Sequence, residues 1–146
     1  MASTPYATSV GVGAYPDIVT FTIPVFAASA ITNADELTTY LPGFNFEIIK
    51  IDWVTVTPIT TAAKTATFTP KIGSTAIPGT SVALAGTQAK GVVKNVWTTA
   101  SALTPGSVRT FGGPTDTLSL TASAVTAFAE GAGYFVVQLR NIGNIS

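Results

Sequence analysis

Apolar and polar residues alternate along most of this chain with a period of two. In Val19-Thr20-Phe21-Thr22-Ile23-Pro24-Val25, positions 19, 21, 23 and 25 are apolar while 20 and 22 are threonine. Such alternation sets one face of a β-strand in a core and the other in water. Pro24 has no N–H for a ladder, so this strand is predicted to be an edge or to carry a bulge. Thr65–Ile72 repeats the pattern, its even positions facing a core. Gly73-Ser74 then supplies a Gly-X pair suited to a two-residue type II′ turn, and Thr75-Ala76-Ile77 returns as a hairpin. Thr117-Leu118-Ser119-Leu120-Thr121 alternates after the Gly112-Gly113-Pro114 break. Gly131-Ala132-Gly133 reads as the turn into a last strand, Gly133 to Arg140. That strand sends Phe135, Val137 and Leu139 one way and Tyr134, Val136, Gln138 and Arg140 the other.

Phe46 to Pro58 breaks the rule. Ile49, Ile51 and Trp53 share one face, yet Phe46, Ile48, Val54 and Val56 make the opposite face apolar too. Either a bulge near Trp53 shifts the phase, or both faces are buried, the second beneath a loop or another subunit. Further strands are expected over Ser81–Leu84, Val92–Thr98 and Val108–Phe111. The sum is about eight short antiparallel strands, which predicts an all-β, single-domain β-sandwich of jelly-roll-like type. The one helical candidate is a short turn over Asn33-Ala34-Asp35-Glu36-Leu37, capped by Asn33 and stopped by Pro42-Gly43. Residues 1–16 are read as an extended N-terminal arm, with a disordered terminus as the competing reading, and 17–146 as the sandwich domain.

Charge changes the picture more than length does. The 146 residues hold 7 basic and 7 acidic side chains, 10% of the chain, with a net charge of zero, against about 25% charged residues in an ordinary globular protein. Hydrophobic residues make up 47% and the mean hydropathy is +0.46. A surface this poor in charge has little colloidal protection. It is expected to be covered by other subunits, or else wetted by its many Thr and Ser hydroxyls. No stretch approaches the roughly 18 apolar residues of a membrane helix, and the N-terminus lacks the basic start and apolar core of a signal peptide. No membrane partner is expected.

With no cysteine and no histidine, Ser-His-Asp and Cys-His nucleophile sites, thiolate and imidazole metal sites, and the His-ligated form of the jelly roll all fall away. Seven carboxylates remain: Asp17, Asp35, Glu36, Glu47, Asp52, Asp116 and Glu130. Two would serve glycoside hydrolysis. Asp52, beside Trp53 in an apolar strand, is the best candidate acid, and the plain alternative is an outward Asp paired with Lys50 or with a base on another strand. Asp35, Glu36 and Asp116 sit at turn or cap signals. No calcium-loop spacing occurs, and neither Gly11-Val12-Gly13 nor Gly131-Ala132-Gly133 runs on into the Lys-Ser/Thr pair and helix of a phosphate loop. The expectation is a protein that is not an enzyme and holds no cofactor or metal. Lys50, Lys64, Lys71, Lys90, Lys94, Arg109 and Arg140 stand singly, so no nucleic-acid partner is expected. Sugar binding stays open as a recognition role. Trp53, Trp97, Tyr15, Tyr40 and Tyr134 can form a flat platform for a pyranose, or the tryptophans can simply fill the core.

Two local phrases carry a family resemblance: Phe68-Thr69-Pro70-Lys71-Ile72-Gly73 running on to Ala76-Ile77-Pro78-Gly79-Thr80, and Asp116-Thr117-Leu118-Ser119-Leu120 answered by Gly133 to Arg140. Together with the Thr- and Ala-rich style across residues 18–141, and the lack of Cys and His, the chain resembles the decoration, or cement, proteins on capsids of tailed phages and cyanophages. The resemblance implies a virion protein on the outer capsid surface that binds the major capsid protein and itself as a trimer, stabilising the shell. It points to the arm 1–16, with Tyr6 and Tyr15, and to Phe21, Phe26 and Trp97 as partner contacts. A fibre or tail domain, a sandwich-type capsid subunit and a carbohydrate-binding module are the alternatives.

Overall fold

In a computed structural model, which describes residues 18–33, 36–99 and 111–143, alternation becomes two antiparallel sheets. The strands are β1 (Ile18–Ala27), β2 (Glu36–Tyr40), β3 (Phe46–Thr57), β4 (Thr65–Ile72), β5 (Thr75–Ala76), β6 (Gly79–Ser81), β7 (Leu84–Ala85), β8 (Val93–Thr99), β9 (Phe111–Gly112), β10 (Leu118–Thr126) and β11 (Ala132–Asn141). One sheet runs β1-β11-β3-β8-β6 with β9 also on β3, and the other runs β2-β10-β4-β5 with β7 also on β4. The six-stranded and five-stranded antiparallel sheets make an all-β sandwich.

The core lies between the sheets. Phe135 on β11 sits edge-on to Trp53 on β3, with ring centroids 5.1 Å apart, and edge-on to Phe68 of the opposite sheet at 4.8 Å. It therefore ties the two layers together with interactions of about 0.5–1.5 kcal/mol each beyond area burial. Phe46, Ile48, Ile51, Leu84, Val96, Trp97 and Leu139 are fully buried around them. On β11 the alternation holds as read, with Phe135, Val137 and Leu139 buried.

β3 resolves its double apolar pattern through a bulge. Phe46 and Ile48 point inward, then Ile51, Trp53 and Thr55 do. Gln138 of β11 faces Lys50 and Leu139 faces Ile48, so Ile49 is the extra residue. The phase shift is real, but it lies at Ile49–Lys50 rather than near Trp53. β1 is both an edge and bulged, its register shifting between Ile23 and Phe26 around Pro24. The hairpin at Gly73-Ser74 closes as expected: Ile72 faces Thr75, and Gly73 alone of the two takes a positive φ, +62°. Gly131, at φ +102°, turns the chain into β11.

Three expectations are corrected. Glu36–Tyr40 is a strand, because Thr38, Thr39 and Tyr40 suit a pleated surface. The Asn33 side-chain oxygen accepts from the Val125 N–H, 2.8 Å, instead of capping a helix. The described helical turn is a short 3-10 turn at Ala28–Ala30. The single strand expected over Ser81–Leu84 is split. β6 ends at Ser81 in the first sheet and β7 begins at Leu84 in the second, so Val82-Ala83 crosses between layers. β9 meets the expected Val108–Phe111 strand only at Phe111, and the arm 1–16 and positions 108–110 lie outside the described residues.

Candidate functional site

The outer face of the first sheet carries the chain's most distinctive surface. Because Trp53 and Phe135 point inward, Val54 and Tyr134 point outward, and cross-strand register sets Val93, Val54 and Tyr134 in one row over β8, β3 and β11. Val56 extends the patch along β3, at the residue that bulges between Thr55 (facing Gly133) and Thr57 (facing Ala132). Val93 is 60% exposed and Val56 37%. The turn before β8 adds Val92, 38% exposed, whose carbonyl accepts from the Thr55 N–H at 3.0 Å.

Two ion pairs lie farther along this face. Lys50 Nζ lies 3.2 Å from Asp52 Oδ2, and Asp52 Oδ1 accepts from Asn95 Nδ2 at 2.9 Å. Asn95 Nδ2 also reaches the Trp97 carbonyl, 3.2 Å, and the Thr98 hydroxyl donates to Asn95 Oδ1, 2.7 Å. This network fastens a bulge in β8, where Ile51 faces Trp97 and Asp52 faces Asn95 with Val96 left over. Farther along, Arg140 pairs with Glu47 at 3.1 Å.

Two further carboxylates hold turns. Asp116 Oδ2 accepts from the Gly113 N–H, 2.7 Å. Glu130 Oε1 accepts from the N–H groups of Thr60 (2.9 Å) and Thr61 (2.7 Å), and Oε2 from the Thr61 hydroxyl (2.8 Å). These bonds, the Thr61 N–H foremost, hold the Glu130 carboxyl below its ordinary pKa. Asp52 is thus the outward, Lys50-paired acid of the plain alternative, while Asp17 and Asp35 lie outside the described residues.

The expected contact residues do not gather at one place. Trp97 is 0% exposed, so it is corrected from partner contact to core. The β8 bulge turns both Val96 and Trp97 inward, and Gly79 of β6 lies so close against the indole that an added Cβ would stand 2.4 Å from Cζ2. Trp53 is equally buried, so no sugar platform forms from the tryptophans. Phe21 is half-buried and stacks on Tyr40 with centroids 4.1 Å apart, joining the edge strands β1 and β2 of the two sheets. Phe26 enters as strand backbone facing Gly133, its side chain outside the described set, as are Tyr6 and Tyr15. Between the sheets near Phe21, Ile23, Tyr40 and Leu120 lies an apolar cavity of about 10 Å³. That is near the size of one water and far below a ligand pocket of several hundred Å³. Among the described residues no group of three His, Cys, Asp or Glu is placed to hold a metal, and no helix is long and apolar enough to cross a membrane.

The second sheet presents a contrasting outer face. Thr69 faces Thr121 and Thr67 faces Ser123 across β4 and β10, and the buried hydroxyls of Ser119 and Thr121 have no hydrogen-bond partner. Sequence reasoning missed the valine row because it joins residues from three strands. Only the unexplained apolar face of β3 signalled it. The chain matches no protein-family model, and neither a curated protein nor a solved structure gives a significant match.

Proposed function

We propose that this chain is a virion structural protein that binds the outside of an assembled phage capsid and stabilises the shell. The observation that carries this reading is an all-β sandwich whose first sheet has an outer face that is apolar at one end and carries two internal ion pairs farther along. The jelly-roll class of sandwich expected from the sequence serves viral shells, lectins and cupins, and the fold alone does not choose among them. The lectin reading loses both tryptophans of its platform to the core. The cupin reading has no histidine to ligate its metal. A shell protein needs what this surface offers, low charge and apolar contact area.

The mechanism is mass action. A protein that binds the assembled lattice but not free subunits stabilises the lattice by RT ln(1 + [L]/Kd) at each site, about 2.7 kcal/mol at a hundredfold excess over Kd. The test is quantitative mass spectrometry of gradient-purified virus particles from the source. A copy number comparable to the major capsid protein supports decoration. A few copies per particle would move the protein to a tail or fibre, and its absence from particles would remove it from the virion.

A further inference from the structure

We propose that the partner of the valine end of the first sheet's outer face is an acidic protein surface, apolar at its centre and bordered by carboxylates that meet Lys90. The inference rests on the shell reading and names the chemistry of the shell surface at that contact.

Unmatched cations gather at this end of the sandwich. The loops 58–64, 86–92 and 127–131 meet there: Ile59 bridges to Gln88, the Gly86 N–H donates to the Lys64 carbonyl at 3.1 Å, and Glu130 holds Thr60 and Thr61. Backbone bonds fix Lys90 beside the valine row. The Val92 N–H donates to the Ala89 carbonyl, 3.2 Å, closing a turn over Lys90 and Gly91, and the Gly91 N–H donates to the Thr55 carbonyl of β3, 2.8 Å. Lys90 is exposed there, next to the exposed Val92 and Val93. Half-buried Lys64 and Lys94 add to the positive field of the same end. Among the described residues, Lys64, Lys90 and Lys94 have neither an ion pair nor a side-chain hydrogen bond. The described carboxylate of these loops, Glu130, is already taken up by Thr60 and Thr61. The chain is neutral as a whole, yet this end is positive.

That charge selects the partner. An apolar row by itself accepts any apolar surface, whereas unmatched lysines at its rim repel cations and favour carboxylates. A second copy is a poor occupant, because the described carboxylates Glu47, Asp52, Asp116 and Glu130 are each engaged within their own chain. An anionic lipid surface is taken up by tryptophan, phenylalanine and leucine side chains that sink into it. This row offers valines in a sheet face and one half-buried tyrosine.

The test is co-sedimentation of the purified full-length chain with gradient-purified particles first washed free of it by chaotrope. The wild type is expected to bind, with Kd rising about tenfold or more between about 50 and 500 mM NaCl as the lysines are screened. At low salt Lys90→Glu should raise Kd about tenfold or more, and Lys90→Arg should bind like the wild type. Ser123→Glu, at an exposed position of the second sheet, is the control for added negative charge and should leave Kd unchanged. Far-UV circular dichroism verifies that each variant is folded. Equal binding by wild type and Lys90→Glu, indifferent to salt, overturns the acidic partner and leaves the shell reading standing. Absence of the chain from particles by mass spectrometry removes the shell reading and the inference with it. Binding to phosphatidylcholine–phosphatidylserine vesicles but not to particles gives the face to lipid and overturns the proposal. Self-association in sedimentation velocity that Lys90→Glu strengthens gives it to a second copy and overturns it equally.

Discussion

Glycine 133 offers a prediction whose sign depends on the tertiary structure. A glycine inside a strand ordinarily weakens it by roughly 0.5–1 kcal/mol relative to alanine, so Gly133→Ala judged from the sequence should stabilise. The structure reverses this. A Cβ at position 133 would lie 2.3 Å from Trp53 Cζ2 and 2.4 Å from the Val54 carbonyl oxygen. The indole cannot swing away easily, because it is fully buried, edge-on to Phe135, and donates from Nε1 to the Thr55 hydroxyl at 2.9 Å. Overpacking of this kind costs about 1–3 kcal/mol, and a clash that includes backbone belongs at the upper end, about 3 kcal/mol. For a chain of this size that lowers Tm by about 6–12 °C, readable by calorimetry and by urea unfolding at constant m. Gly113→Ala is the internal control: its nearest neighbours would be 3.6 Å away, and its stability should change by less than about 0.5 kcal/mol. Trp53→Phe should partly relieve Gly133→Ala in a double-mutant cycle, the residual cost reflecting the Val54 carbonyl. A Gly133→Ala protein as stable as wild type, or more so, would refute the packing described at Trp53.

Two further predictions come from polar groups. Asn95→Ala removes the donor to Asp52 Oδ1 and the Trp97 carbonyl at the β8 bulge and should cost about 1–2 kcal/mol in urea unfolding, whereas Lys50→Ala, which removes the more exposed half of a partly exposed ion pair and leaves Asp52 its bond from Asn95, should cost less than about 1 kcal/mol. Glu130 has its pKa lowered in the fold, so its contribution is present above the ordinary glutamate value near 4.5 and is lost as pH falls below it. Glu130→Gln should therefore reduce stability at neutral pH and flatten its decline between about pH 5 and 3, measured by thermal unfolding across that range.

What the sequence by itself determined is local. Alternation in β1, β4 and β11, the Gly73-Ser74 hairpin and the turn at Gly131 all arise from side-chain period and from the freedom of glycine at positive φ, which are properties of a few neighbouring residues. The double apolar pattern of β3 announced a bulge, yet its place at Ile49 is set by which residues of β11, far along the chain, pair with it. From local residues Trp97 could serve as a partner contact or fill the core; the extra residue in β8 turns it into the core, and Gly79 of another strand makes room for it. The split of Ser81–Leu84 between two sheets and the valine row likewise depend on register. Backbone hydrogen bonds between strands are nearly indifferent to residue type, so register is decided by how all the side chains of both sheets pack at once. Tertiary structure alone could therefore decide which apolar residues were left facing outward.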